Sequence, residues 1–492
     1  MLPAVLAVDV GTSAAKAIVV SQAGEVLAEG RAAYPTTSPK PGWLEQNPED
    51  WWQAMVGATR ACLAGLRGAG ELAAIGISGH MSALVALDRD YRPTRPAITI
   101  ADTRCAAEAA CLNERYRDRI AAATGNVALT AFTLPKLLWY RRFEPELFAQ
   151  TRVVLAVKDY LVWRLTEVLG TEPTDAGNTL LLDRATRRWN RDLIDELSIP
   201  ASILPPVRES LELVGGLSRG AAGAMGLAAG IPVIAGLADM GASTLGSGLL
   251  DHRRLAITLG TSGQITQVVA APCPELLGKF TYHPHALPGL TYIMASLFTG
   301  GLGLQWFAET VADLTGDAVP TVIERVLERA AASPPGARGL LFLPYLTGRG
   351  SPEFDPSLTA SLAGLTQGHT GSDLARAVLE GVGYSVRQCL EVMARHHAAP
   401  EEIVVGGGAM KSPLWRGIVA DITGVELNPL EPLNAGPLGI ALAAGSAAGI
   451  FTDLKERLPT LIRLAAPEHP NRATSTIYES GYRRFGALNG SD

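Results

Sequence analysis

Two aspartates and two short glycine turns are the residues of this chain whose setting could do chemistry. Asp9 ends the apolar run Leu6-Ala7-Val8 and stands one residue before Gly11-Thr12-Ser13. The same pattern returns as Leu255-Ala256-Ile257-Thr258-Leu259-Gly260-Thr261-Ser262, at a constant offset of 249 residues. A glycine lets the backbone approach a ligand closely, while amide N–H groups and the Thr and Ser hydroxyls are neutral donors for phosphate oxygens. A single Gly-Thr-Ser is simply a good hairpin turn. Two in matching places point to a pair of turns that clamp one polyphosphate. A carboxylate ending a buried strand beside such a turn is where Mg2+ finds an oxygen ligand, usually through water; the first copy has Asp9 there and the second has Thr258. Asp239, in Gly236-Leu237-Ala238-Asp239-Met240-Gly241-Ala242, follows the strand-like Val233-Ile234-Ala235 with no neighbouring Lys or Arg in sequence. Two readings stay open on residues alone: a partly desolvated carboxylate of raised basicity, suited to accept a proton, or the N-cap of a helix.

The elements that position these groups follow from periodicity. Each Gly-Thr-Ser joins a β-branched strand to a second one, Ala17–Val20 in the first copy and Gln264–Val269 in the other, as a hairpin does. Two matched hairpins predict two similar domains, 1–248 and 249–492, with the boundary in the small-residue stretch Gly246–Arg254. Strand-like runs at Ala73–Ile77, Leu84–Leu87, Arg152–Ala156 and Ile403–Val405 alternate with helical patterns at Asp50–Leu66, Lys136–Phe143, Ser372–Ala394 and Pro413–Ile422, which gives an α/β class. Gly406-Gly407-Gly408 is an ordinary post-strand turn by itself. Ser412 and Pro413 then supply an N-cap and a first-turn proline, so the run leads to a helix start where backbone donors gather.

Composition narrows the partners. Across 492 residues, 42 Lys and Arg against 48 Asp and Glu leave a net charge of −6, with no basic surplus for a phosphate backbone, so nucleic acid is not expected. Five cysteines, Cys62, Cys105, Cys111, Cys273 and Cys389, lack CxxC spacing; neither a disulfide framework nor a zinc site is expected, and a reducing cytoplasm fits. No basic n-region or cleavage site precedes the first strand, so no export signal is expected. The uncharged run Ala221–Ala238 is Ala/Gly-rich and contains Pro232; a helix end, a turn and a buried strand are expected there, and no membrane span.

Taken together, these features resemble the FGGY family of carbohydrate kinases, over Asp9 to about Leu454. Phe132-Thr133-Leu134-Pro135-Lys136-Leu137-Leu138-Trp139 is similar to the family's first signature. Gly364-Leu365, followed by Asp373-Leu374-Ala375-Arg376-Ala377-Val378-Leu379-Glu380, is similar to its second. Ala156–Leu161, Thr174–Asp183, Phe342–Leu346 and Gly406–Trp415 look most like the branch acting on D-xylulose. The resemblance implies the actin-like/sugar kinase ATPase (ribonuclease H-like) fold, two similar domains with a cleft between them that closes on its ligands. It implies transfer of the γ-phosphate of ATP, with Mg2+, to a hydroxyl of a small sugar. Dimers are common among relatives, so a homodimer is an option.

The resemblance also carries roles onto residues. Asp239 becomes the catalytic base, and Asp9 joins it in catalysis as the metal-side carboxylate. Thr12 and Ser13 serve the phosphates from the first turn, Thr261 and Ser262 from the second. Gly301 and Gln305 lie near the nucleotide, and Gly407, Gly408 and Ser412 around adenosine. His80, Met81 and Ser82, with Asp102 and Arg104, fall to the sugar. Lys136, Trp139 and Thr174–Asp183 are expected mainly to pack and cap. His80 and Ser82 stand where the xylulose branch has Gln and His. Ile100 stands where Trp is usual, and Gly348-Arg349-Gly350-Ser351-Pro352 where Gly-Glu-Arg-Thr-Pro is common, so the departures are expected in or near the sugar site. Gluconate, polyol and other ketose kinases remain alternatives, as do an actin-like nucleotide-gated protein and a sugar-sensing pseudokinase. His283 and His285 lack an evident third metal ligand, and His396-His397 are expected to form a solvated helix end.

Overall fold

The computed structural model describes residues 3–66 and 71–490. They fall into two compact units, Met1–Leu250 with Tyr282–Tyr292 and Ala435–Ile462, and Asp251–Thr281 with Ile293–Asn434 and Arg463–Asp492. A single division at 248/249 therefore describes the chain only as far as Leu250; two later segments group with the first unit.

The first unit is built on β1 (Ala4–Val10), β2 (Ala14–Ser21), β3 (Val26–Ala33), α1 (Pro48–Gly65), β4 (Leu72–Gly79), β5 (Leu213–Gly216), β6 (Pro232–Ile234), β7 (Leu237–Ala238) and α2 (Asp239–Gly246). Its sheet has the order β5-β6-β4-β1-β2-β3, with β7 pairing to β4 beyond the end of β6. β1 runs antiparallel to β2 and parallel to β4. β1 and β4 are near-continuous apolar runs because both faces of a parallel strand are covered. α1 starts where Asn47 accepts the Glu49 amide at 3.1 Å and Pro48 takes the first turn, and it buries Trp51 and Met55 in the core. A second apolar cluster gathers helices Ala106–Thr124 and Thr133–Phe143 around Leu112, Phe132, Leu137 and Tyr140.

The second unit repeats the plan with β8 (Arg254–Leu259), β9 (Gly263–Val269), β10 (Thr281–Pro284), β11 (Thr291–Leu297), α3 (Leu302–Thr315), α4 (Gly371–His396), β12 (Glu402–Gly406), α5 (Pro413–Thr423) and β13 (Asn428–Glu431), except that β10 from Tyr282 and the first two residues of β11 group with the first unit. The chain then returns to the first unit as α6 (Ala435–Ala447) and ends the second sheet with β14 (Arg463–Leu464). That sheet has the order β10-β11-β9-β8-β12-β13-β14, with β8 antiparallel to β9 and parallel to β12. β8, β9 and β12 thus repeat the pairing of β1, β2 and β4, the duplication announced by the 249-residue offset.

Predicted spans and observed elements differ mostly by one to three residues, as at Gly371–His396 and Pro413–Thr423. The run Ala221–Ala238 is a short helix, a turn and strands, and no helix among the described residues is long and apolar enough to cross a membrane. None of the five cysteines is in a disulfide.

α6 is apolar around its whole circumference and packs on α2, β1 and β4. The two helices touch backbone to backbone. A Cβ on Gly439 would stand 1.8 Å from the Ala242 carbonyl oxygen, and one on Gly246 would stand 2.0 Å from that of Ala435. Gly439→Ala has to push α6 off α2, an overpacking cost of about 1–3 kcal/mol. Denaturant unfolding of the full chain is expected to show it as a lower midpoint, and an unchanged midpoint would contradict this packing.

Candidate active site

Asp9 and Asp239 meet because of strand register. On β4, Ser78 pairs with Asp9 of β1 on one side and with Leu237 of β7 on the other, while Ala238 pairs with Gly79. Asp239 is the next residue and the first of α2. Ser78 Oγ donates to Asp9 Oδ1 at 2.8 Å, and the Met240 amide donates to Asp239 Oδ1 at 2.8 Å. Burial pushes the Asp239 carboxyl up to about 7 and the Asp9 charge adds to the rise, against the Met240 and Met81 amides, which pull it down. Burial raises the Asp9 carboxyl as well, offset by Ser78 and Lys16. The helix-cap reading of Asp239 does not apply, since the cap position belongs to Ala238.

The first turn is held by its carbonyls and leaves its hydroxyls outward. Tyr34 donates its hydroxyl to the Gly11 carbonyl, Gln46 Nε2 donates to the Thr12 carbonyl at 2.8 Å, and the Gly11 amide donates to Ala14 at 3.1 Å. Thr12 and Ser13 are exposed. Gly436 at the start of α6 lies against Asp9, a Cβ there standing 3.6 Å from Oδ2.

Behind Asp239 is a buried polar chain. Thr174 Oγ1 accepts the Ala238 amide at 2.7 Å and donates to Glu172 Oε1 at 2.7 Å. Glu172 also accepts from Ser210 Oγ at 2.6 Å and pairs with Lys158 Nζ at 3.2 Å; Lys158 also holds Asp159 at 2.5 Å and Asp175 at 3.5 Å. The opposing lysine keeps Glu172 below the usual carboxylate range despite burial. Asp175, among like charges, is pushed well up by that burial. Thr174–Asp183 thus packs and caps as expected, and in addition fixes the residue preceding Asp239.

The segment His80-Met81-Ser82 leaves β4 with the His80 amide bonded to the Val10 carbonyl at 2.8 Å. His80 is buried edge-on against Trp51, its ring nitrogens have no hydrogen-bond partner among the described residues, and burial lowers it to about 4, so it is a neutral imidazole. Met81 and Ser82 are buried too, and Ser82 takes a φ of +66°. Lys136 sustains that left-handed residue. Its Nζ donates to the carbonyls of Ser82 (3.2 Å), Ala131 (2.7 Å) and Phe132 (3.1 Å), and burial lowers it to about 8.

Asp102 and Arg104 are bonded to each other. Asp102 takes Arg104 Nη2 at 2.7 Å and the Leu44 amide at 2.6 Å, and the Arg104 guanidinium lies 3.8 Å over the Trp43 ring with Glu45 2.8 Å away. Trp43 was not singled out in the sequence, and it supplies an aromatic face where Ile100 cannot. Arg349 belongs to the second unit, where Glu353 at 2.7 Å and the Asn489 carbonyl at 3.2 Å hold it. His283 Nδ1 lies 2.9 Å from Asn178 Oδ1, and His285 Nδ1 accepts the Leu287 amide at 3.0 Å; burial keeps both neutral.

In the second unit two glycine segments, Gly300-Gly301 and Gly406-Gly407-Gly408, meet the Gly260-Thr261-Ser262 turn and the strand leading into it. The Gly301 amide donates to the Gly260 carbonyl at 2.6 Å, and the amides of Gly300 and Leu302 to Thr261 at 3.0 Å each. Gly407, at φ +91°, crosses β8 so closely that a Cβ would stand 2.4 Å from the Leu259 carbonyl oxygen. Gly408 is exposed with open space beside it, and the Thr261 side chain is exposed. Ser262 Oγ accepts from Gln264 at 2.9 Å; Gln305 is exposed and bonded to Glu309 at 2.9 Å. Ser412 Oγ caps α5 by accepting the Trp415 amide at 3.3 Å. Within each unit an exposed threonine hydroxyl beside glycine backbone is a donor suited to phosphate oxygens, and in the first unit the Asp9 carboxylate adds an oxygen suited to a hard cation.

Comparison with known proteins settles the class. The N-terminal domain of the FGGY family of carbohydrate kinases matches residues 4–246, and its C-terminal domain matches 255–448. A Bacillus subtilis (strain 168) protein named xylulose kinase is 35% identical over 478 residues, covering 97% of this chain and 94% of its own. The crystal structure of a ligand-bound xylulose kinase from Lactobacillus acidophilus superposes with a TM-score of 0.90 at 26% identity, over 100% of this chain and 98% of that one. A gluconate kinase structure from the same organism gives the same values. The chain belongs to the FGGY family of carbohydrate kinases. It is an ATP-dependent sugar kinase with the actin-like ATPase architecture, and kinases of this family typically use a divalent metal.

Thr174→Val deletes the acceptor of the Ala238 amide and leaves a buried N–H unpaired. Small displacements of a reacting group cost up to about 10²-fold. A fall in kcat of about tenfold to a hundredfold is expected, with KM for ATP nearly unchanged; normal turnover in the variant would dismiss the tie.

Proposed function

We propose that this chain phosphorylates D-xylulose, with Asp239 as the general base. The observation that carries the reading is the partly buried Asp239 carboxylate, held at a strand end beside Met81 and raised to a basicity matched to neutral pH. The substrate is suggested by the relatives, two of the three reported above being xylulose kinases. Sugar binding and the base are assigned to the first unit, and the nucleotide to the second.

MgATP supplies the γ-phosphoryl group and a cation that offsets its negative charge. Neutral His80 offers a ring nitrogen to a sugar hydroxyl, while the Ser82 turn, braced by Lys136, shapes the wall beside it. The attacking hydroxyl gives its proton to Asp239, and its oxygen forms the new bond to phosphorus. Asp9 faces the metal side with Thr12 and Ser13, and Thr261 with Ser262 serves the phosphates. Gly301, Gln305, Gly407, Gly408 and Ser412 line the nucleotide's path. Asp102 and Arg104, bonded to each other, act on the sugar through the loop they hold. Use of cytoplasmic ATP places the reaction in the cytoplasm.

A gluconate reading is kept because Met81-Ser82-Ala83-Leu84 resembles that branch and the gluconate kinase structure superposes equally well. ADP release measured with D-xylulose, D-gluconate, other ketoses and polyols decides between them. The highest kcat/KM is expected with D-xylulose, and a preference for gluconate would replace it.

Asp239→Asn is expected to lower kcat by about 10²–10⁴-fold while nucleotide binding persists. The base works ionised, so in the wild type kcat/KM should fall as pH drops below about 7, the value to which burial and Asp9 raise the group. The same rise means that the folded state holds this proton more tightly than the unfolded chain. Ionised Asp239 therefore costs stability as pH climbs from the ordinary aspartate range through about 7, and Asp239→Asn should unfold later than wild type at about pH 8. A variant retaining normal turnover would remove the base.

A further inference from the structure

α4 ends at His396, and the segment between β9 and β10 carries Cys273-Pro274-Glu275. Folding brings these distant pieces of the second unit together. Cys273 Sγ lies 2.9 Å from Glu275 Oε2 and 3.6 Å from His396 Nδ1, and one ligand atom from each of the three residues stands within 4.8 Å of the others. Tetrahedral zinc, with Zn–S of about 2.3 Å and Zn–N or Zn–O of about 2.0 Å, holds its ligand atoms about 3.3–3.5 Å apart. The sulfur–nitrogen edge already has that spacing, and the sulfur–oxygen edge has to open by about 0.6 Å.

We propose that Cys273, Glu275 and His396 bind a divalent cation of the zinc class, with a fourth position open to water. The donor set decides the class: a thiolate and an imidazole select zinc-type ions, while Mg2+ and Ca2+ prefer sites made of oxygens alone. Both ligand-bearing pieces are anchored. Leu276 is buried next to Glu275, and Met393 is buried one turn before His396, so the backbone that carries the three side chains is fixed on both sides. His396 stands at the C-terminus of a 26-residue helix, whose partial negative charge favours a cation. On binding, the Cys273 S–H bond breaks, a sulfur–metal bond forms and the proton passes to buffer; nothing is oxidised or reduced. Thiolate and carboxylate together then balance the divalent charge. The ion would clip the Cys273–Glu275 turn to the end of α4, and none of the three residues is among those assigned to sugar or nucleotide.

Cobalt(II) is the probe, because a cobalt–thiolate bond produces a near-ultraviolet charge-transfer band. Titrating the tag-free full chain, reduced and metal-stripped, should develop this band to one equivalent, with Zn2+ abolishing it. Cys273→Ser should lose the band, His396→Ala should weaken binding at least about tenfold, and Cys111→Ser, which changes another exposed thiol, should behave as wild type. No band in the wild type, or a band that survives in Cys273→Ser, would overturn the site. So would undiminished affinity in His396→Ala.

Discussion

Two carboxylates drawn out of water beside one another dominate the first unit. Each of Asp9 and Asp239 is raised by burial, and the charge of Asp9 raises Asp239 further. Like charges so placed do not both ionise freely unless a cation is shared between them. No ion pair to a lysine or arginine reaches either among the described residues; Asp9 is compensated by the Ser78 hydroxyl and the charge of Lys16 on the neighbouring strand, and Asp239 by backbone amides. The arrangement is costly for folding and useful for a proton acceptor that works near neutrality, which is how buried acid–base sites trade stability for reactivity.

The surrounding structure keeps that cost contained. Lys158, with three acidic neighbours, draws charge away from the region behind Asp239, and the hydrogen bonds run from Glu172 through Thr174 to the Ala238 amide. In the second unit the corresponding work is done without charge. The Gly260 turn is braced by the amides of Gly300, Gly301 and Leu302, and Gly407 passes where no side chain fits. One unit concentrates ionisable groups and the other backbone donors, although both descend from the same strand-turn-strand plan.

The parts legible in the sequence were those whose signal is local or repeated. The doubled hairpin, the long amphipathic helices and Asp239 at its strand end all announce themselves within a few residues or by the fixed offset. What escaped depends on encounters between distant segments. Trp43 meets Arg104 across an intervening strand pair, Thr174 meets Ala238 only after the turn folds back, and Cys273 meets His396 through the length of the second unit. Asp102 and Arg104 were legible as a charged pair, but their engagement with each other shows only in three dimensions. The partners of Arg349, Glu353 and the Asn489 carbonyl, were likewise not legible, the second lying 140 residues further along the chain.

The course of α6 has an implication for biosynthesis. When a ribosome has finished the strands and helices of the first unit up to Leu250, it has yet to make the apolar helix that covers β1 and β4 and locks onto α2. Nearly two hundred more residues, Asp251–Asn434, must emerge before Ala435–Ala447 can dock. The nascent amino-terminal half therefore spends that interval with a greasy flank uncovered, a natural client for chaperones, and the first unit is completed only after most of the second has been made.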